Sequence, residues 1–190
     1  MDVSAHDAFI LVDMQVDFCP GGALPVRDGD RVIPVLNRWL KPFTDARRPV
    51  FASRDWHPPH HVSFRERGGP WPPHCVQHTP GAAFHPDLAI PEGTVIISKG
   101  SDPERDAYSA FDGTDLTRRL LALDIRRLTV GGLAQDYCVH ATVLEALAEG
   151  FAVRLLQEGT RPVEVQPGDG ERALAEMREA GAEIVTGEQP

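Results

Sequence analysis

Cysteine and lysine are both scarce in this chain. Its 190 residues contain three cysteines, Cys19, Cys75 and Cys138. That number is too small, and odd, so a disulfide framework is excluded. Reduced thiols point to a reducing, cytoplasmic setting. No apolar run is long enough to span a bilayer, and the N-terminus carries no signal pattern. A basic surface is also missing. The net charge of −9 argues against nucleic acid or an anionic membrane as partner. Nucleotide-binding glycine motifs are absent. Neither GxGxxG nor GxxxxGK[ST] occurs, and there is no GxSxG elbow, so dinucleotide, P-loop and serine α/β-hydrolase sites lose their support. Asp13 lacks the second aspartate two residues on that phosphate-transferring aspartate enzymes use; Gln15 stands there instead.

The scarcity of lysine makes its positions informative. Arginine supplies 17 of the 19 basic residues, and the two lysines are Lys41 and Lys99. Lys99 ends an apolar run, where an amine is an odd choice unless its chemistry is used. Histidine is uneven too: six of the eight lie between His57 and His85. Such clustering suggests a metal site or a polar loop.

Six short apolar runs read as strands: 8–13, 49–54, 94–99, 128–132, 152–156 and 183–185. They are apolar almost throughout, as in strands covered on both faces of a parallel sheet. Between them run helical stripes. Val32, Val35, Leu36, Trp39 and Leu40 make the first, and Leu116, Leu120, Leu121 and Leu123 the second. Val139, Val143, Leu144 and Leu147 make the third, and Leu174, Met177 and Arg178 the fourth. The alternation predicts a single α/β domain over residues 1–190. Its architecture is a three-layer α/β/α stack, with a six-stranded, mostly parallel sheet and helices on both faces. Residues 55–93 interrupt the rhythm. They are rich in Pro, Gly and His, and they hold Trp56, Phe64, Trp71 and Phe84. These aromatics predict an ordered loop with a small core of its own.

Ligands of open parallel sheets bind at the carboxyl ends of the strands. Asp13, Asp55 and Lys99 fall at three such ends. A fourth run leads through Gly131 and Gly132 to Cys138, at the start of the third helix. An isolated cysteine is more often a small buried residue than a nucleophile. At a helix N-terminus, however, unpaired N–H groups and the dipole favour thiolate and suit a developing oxyanion. Four reactive side chains at one edge make a catalytic edge the better reading. In the loop, Asp55, His57 and His74 form an Asp/His/His set suited to Zn²⁺, and also to Fe²⁺ or Mn²⁺. His60, His61, His78 and His85 are rivals by type, each expected to face solvent.

The segments VDMQVDFCPGGALPV, SRDWHPPHHVSF, GPWPPHCVQHTPGAAFHP, SKG, AYSAFDG and GGLAQDYCV resemble the nicotinamidases (pyrazinamidases) of the isochorismatase-like cysteine hydrolases. They cover most of the chain in the family's order. The resemblance implies hydrolysis of nicotinamide to nicotinate and ammonia, a step of NAD salvage, with pyrazinamide as a second substrate. It implies a triad of Asp13, Lys99 and Cys138 and one divalent metal on Asp55, His57 and His74, zinc first. The oxyanion hole implied is the N–H groups of Ala134 and Cys138, with a cis peptide between Leu133 and Ala134. Phe18, Leu24, Trp71 and Tyr108 would line the ring pocket. Relatives vary in assembly, so a homo-oligomer stays open. Two positions depart from the pattern: Gln135 replaces the usual threonine, and Val16 a frequent asparagine. An N-carbamoylsarcosine-type amidase would keep the triad without needing the metal residues. A silent metal-binding interaction protein would be expected to lose a triad member, and none is lost.

Overall fold

A computed structural model describes residues 3–187 of the chain. Six strands form one sheet: β1 (Asp7–Val12), β2 (Val50–Asp55), β3 (Val95–Lys99), β4 (Arg127–Leu133), β5 (Ala152–Arg161) and β6 (Glu183–Val185). Their order is β3-β2-β1-β4-β5-β6, and every pair is parallel. The sheet is therefore wholly rather than mostly parallel. Four helices follow in chain order: α1 (Ile33–Asp45), α2 (Leu116–Ala122), α3 (His140–Ala148) and α4 (Asp169–Glu179). Among the described residues no helix is long and apolar enough to cross a membrane.

The strand pleat divides the core in two. Ala8, Ile10 and Val12 of β1 face one cluster, with Leu116 and Leu120 of α2, Val143 of α3 and Met177 of α4. Phe9 and Leu11 face the other, with Leu36, Trp39, Leu40 and Phe43 of α1. Successive side chains of a strand point to opposite faces, so a strand apolar at every position must be covered twice. Each large side chain fully buried here contributes about 1.5–3 kcal/mol. The α1 stripe is buried throughout, as its spacing requires. In α2 the stripe is narrower than the sequence suggests. Leu121 and Leu123 are 62% and 52% exposed, because a helix this short buries only Leu116 and Leu120.

Two features of the sheet place the functional edge. The strand order reverses between β1 and β4, and such a switch point opens a crevice at the carboxyl ends. Also, the β2-to-β3 crossover contains no α-helix. Residues 55–93 fill that place with short 3₁₀ turns and isolated bridges, His57 to Val76 and Phe64 to Trp71. Phe64 and Cys75 are fully buried beneath them. The loop is ordered, as its aromatics predict. β5 runs five residues beyond its apolar run. After a register shift, Thr160 and Arg161 pair with Gly132 and Leu133. Gln157, Glu158 and Gly159 look like a turn locally, and pairing with β4 overrides them.

Gly132 shows how tightly β4 meets β1. Its φ is +137°, and a Cβ there would lie 2.0 Å from the Val12 carbonyl oxygen. Gly150 also has a positive φ, of +91°, but nothing lies near its missing Cβ. Gly132→Ala is therefore expected to cost about 2–4 kcal/mol, combining strain and overlap. Gly150→Ala should cost only about 1–2 kcal/mol of strain. Urea denaturation of the two variants checks this, and equal losses would mean that the β1–β4 approach is not limiting.

Candidate active site

The carboxyl edge assembles from strand ends. β1 stops at Val12, and Asp13 turns the chain with φ +48°. The turn is closed by the Gln15 N–H donating to the Asp13 carbonyl at 2.7 Å. Asp55 and Lys99 end β2 and β3 as register partners. β4 leads through Leu133 and a cis peptide to Ala134. A single π-helical turn, Gln135–Val139, then carries Cys138 into α3. Asp13, Asp55, Lys99 and Cys138 are all buried.

Lys99 is the hub. Its ammonium lies 2.9 Å from Asp13 Oδ2 and 2.5 Å from Asp55 Oδ1. It also reaches Cys138 Sγ at 3.4 Å and the Ala107 carbonyl at 3.3 Å. Asp13 Oδ1 accepts a 2.6 Å hydrogen bond from Ser53, a residue the motifs did not single out. Asp13 Oδ2 pairs with the ammonium, and a carboxylate oxygen of Asp13 lies within 4.8 Å of Cys138 Sγ, in reach of its proton.

The electrostatics correct one expectation. Cys138 is not biased toward thiolate. Burial pushes its thiol well up, Lys99 opposes this, and Asp13 and Asp55 push in the same direction as burial. Burial of the sulfur is the largest cause, so the thiol is held neutral although it sits at a helix start. Asp13 is shifted upward, first by burial and also by Asp55, against the pull of Lys99. Burial works against charge on Asp55 too, but Lys99, His57 and His74 hold it well below the usual carboxylate range. Burial likewise opposes the Lys99 charge, and its two carboxylates raise it well above the ordinary amine value.

Beside this cluster, Asp55, His57 and His74 converge. Asp55 Oδ2 lies 3.4 Å from His57 Nε2 and 3.7 Å from His74 Nε2. His57 Nδ1 is bonded to the Gly100 carbonyl at 2.9 Å, and His74 Nδ1 to the Pro72 carbonyl at 2.8 Å. Carbonyl partners hold Nδ1 as the donor and leave both Nε2 lone pairs facing Asp55. Gly100 is needed for this, since a Cβ there would meet His57 Cε1 at 2.5 Å. The donor set fits one divalent ion with open positions. His61 corrects another expectation. It is buried rather than exposed, 4.1 Å from the His57 ring. Its two ring nitrogens go to Ser63 Oγ and the Arg105 carbonyl. His60 and His78 are exposed as expected, and His85 is half-buried.

A narrow cavity of about 40 Å³ opens onto Cys138, Asp55 and His74. Phe18, Leu24, Trp71 and Tyr108, which the resemblance places around a ring, line it together with Val26, Ala134, Tyr137 and Val163. The Trp71 indole N–H donates to the Tyr108 hydroxyl at 3.0 Å, and Tyr137 meets Trp71 edge-on at 5.2 Å. Tyr137 is not among the pocket residues expected from the sequence, although its place next to Cys138 is a signal for it. Val163 carries no such signal, because it lies past the unexpected extension of β5. Its N–H is held by Asp136 Oδ1 at 2.8 Å. Gln135, the departure from the usual threonine, is buried and ties the Cys138 turn to Thr160 and the Gly170 carbonyl. A larger groove, about 510 Å³, lies at the opposite, amino ends of the strands, around Arg47, Val50, Thr94 and Ile125. It gathers no comparable reactive set.

The profile of the isochorismatase domain matches residues 7–189. The chain belongs to the isochorismatase family. Within it, the chain is 40% identical to the nicotinamidase of Escherichia coli K12, over 94% of each protein. It resembles the crystal structure of a Pyrococcus horikoshii pyrazinamidase in complex with zinc, with a TM-score of 0.91 and 50% identity. That match covers 96% of this chain and 99% of the other. PnC1 from L. infantum, solved in complex with nicotinate, gives a TM-score of 0.90 at 37% identity, covering 98% and 96%.

This isochorismatase-family site yields an ionisation test. In metal-free protein, Cys138 is expected to stay protonated at neutral pH and to ionise only above the ordinary thiol range. Thiolate ultraviolet absorbance, wild type against Cys138→Ser, measures this. A Cys138-dependent thiolate signal at neutral pH would overturn the electrostatic account.

Proposed function

We propose that this family member is a nicotinamidase, hydrolysing nicotinamide to nicotinate and ammonia through a thioester on Cys138. One observation carries the reading. A buried Asp13–Lys99–Cys138 cluster shares Asp55 with an Asp/His/His set, and both face one narrow aromatic cavity. The relatives named nicotinamidase or pyrazinamidase support it over nearly their whole length. An N-carbamoylsarcosine-type amidase has no use for the Asp/His/His set.

In this reading Asp13 Oδ2 takes the Cys138 proton, while Lys99 keeps the carboxylate in place and balances its charge. The thiolate attacks the carboxamide carbon. The N–H groups of Ala134 and Cys138 donate to the oxyanion, each worth about 2.7–4 kcal/mol of barrier. Asp13 then returns the proton to departing ammonia. Next it accepts one from the water that cleaves the thioester, the C–S bond breaks, Asp13 passes that proton to the departing Cys138 sulfur, and nicotinate leaves. Phe18 and Trp71 offer flat apolar surface to the ring. Asp55, His57 and His74 would hold a divalent ion, zinc first, which when bound would supply a Lewis acid beside the cavity. Pyrazinamide presents the same carboxamide on a similar flat ring and belongs to the same substrate class. We read residues 1–190 as one domain, of which residues 1–2 and 188–190 lie outside the described residues.

Purified, zinc-loaded protein is expected to release ammonia from nicotinamide. Cys138→Ala should lower turnover by at least about 10⁴-fold with the fold retained by circular dichroism. Retained turnover would remove Cys138 as nucleophile. His74→Ala is expected to lower zinc content and raise KM together. Unchanged zinc content by elemental analysis would take His74 out of the ligand set.

A further inference from the structure

Gln15 is fully buried, and neither the triad nor the Asp/His/His set uses it. Its side-chain amide makes three hydrogen bonds. Oε1 accepts from the Asp55 N–H at 2.7 Å. Nε2 donates to the Asp55 carbonyl at 2.8 Å and to the Ala82 carbonyl at 3.0 Å. The amide thus reads both backbone polar groups of one residue, as a neighbouring strand would.

The sheet explains why a substitute strand is needed there. The β1–β2 register pairs end at Leu11 with Ala52. The last main-chain bond between them runs from the Asp13 N–H to the Ser53 carbonyl. Beyond it β1 turns away at Asp13. On its other side Asp55 still has β3, through its pairing with Lys99. On the β1 side only the Gln15 side chain remains. Gln15 is itself fixed: it bridges Phe84, and the flanking bonds run from Val16 N–H to Ala83 O and from His85 N–H to Met14 O.

We propose that Gln15 is a positioning residue for Asp55, setting the carboxylate between the Lys99 ammonium and the two imidazoles, and thereby setting metal affinity. This rests on the metal reading above. Without the amide, a buried N–H and a buried carbonyl lose their partners, and the end of β2 is free to shift. Partners behind a metal ligand govern affinity strongly, by about 10- to 100-fold.

The test uses the full chain and Zn²⁺ alone, titrated against a chromogenic chelator. Gln15→Met keeps length and removes the hydrogen bonds. Zinc affinity is expected to fall about 10- to 100-fold, and nicotinamide turnover to return toward the wild-type value at saturating zinc. Thermal unfolding of the metal-free protein separates positioning from simple core packing. Lower metal-free stability with unchanged zinc affinity overturns the inference. A wild-type chain that binds no zinc overturns the metal reading and this inference together. If Gln15→Met does not accumulate folded, Gln15→Glu serves in the same titration. It keeps the acceptor for the Asp55 N–H and loses the donor to two carbonyls, so a loss of zinc affinity is again expected, and none overturns the inference.

Discussion

The Lys99 ammonium, fully buried between two carboxylates, is the constraint on which the site depends. Neither Asp13 nor Asp55 is tolerable in the interior as an unpaired charge. Lys99 satisfies both, with Asp13 Oδ2 at 2.9 Å and Asp55 Oδ1 at 2.5 Å. The three side chains come from the ends of adjacent strands, so the ion cluster also aligns those ends. A lysine suits the role because its ammonium is a compact point charge with three donors that turn freely. A guanidinium presents a wide planar fork instead. That difference accounts for a lysine here in a chain that otherwise favours arginine. The cluster holds one net negative charge, and Asp55 Oδ2 faces the two imidazoles on the side away from Lys99. A cation is therefore the natural occupant of that side.

Much of this is legible in the sequence. Continuous apolar runs require a sheet covered on both faces, and a parallel sheet collects chemistry at its carboxyl edge. Asp13, Asp55, Lys99 and Cys138 could be placed there by counting to strand ends. What stayed hidden depended on contacts distant in sequence. β5 extends because β4 offers partners, and Val163 reaches the cavity only through that extension. Ser53 and Gln15 act through side chains whose partners lie about 40 residues away. His61 looked solvent-facing in a polar loop, but Ser63 and the Arg105 carbonyl satisfy it inside.

The helix-free β2-to-β3 crossover shows how the fold accommodates a metal site. A helix there would cover the sheet but would present its side chains around an axis. The loop instead returns to the same edge several times. It supplies His57 straight after Asp55, then Trp71 and His74, and it seals its own interior with Phe64 and Cys75. Carbonyls of Pro72 and Gly100 can aim the imidazoles because the backbone at those points is not committed to a helix. Irregular chain inside a compact domain is costly in entropy. Here its apolar anchors offset that cost while leaving polar backbone free for orientation.

The raised ionisation of Cys138 is compatible with a nucleophilic role once charge is counted over the whole cluster. Losing the thiol proton to solvent would place a third negative charge beside Asp13 and Asp55, with only Lys99 to balance them. Passing that proton to Asp13 changes nothing in the total. The carboxylate becomes neutral as the sulfur becomes charged, and Lys99 lies within reach of both atoms. Burial that penalises net charge then penalises this transfer little. The same burial that makes the isolated thiol a poor acid also raises Asp13 and makes it a better base. The Cys138 shift keeps the resting proton on sulfur, and the Asp13 shift provides a better acceptor close by. A dipole-stabilised thiolate would have been nucleophilic at all times. A thiol paired with a buried, lysine-held carboxylate can instead ionise by transferring its proton within the cluster.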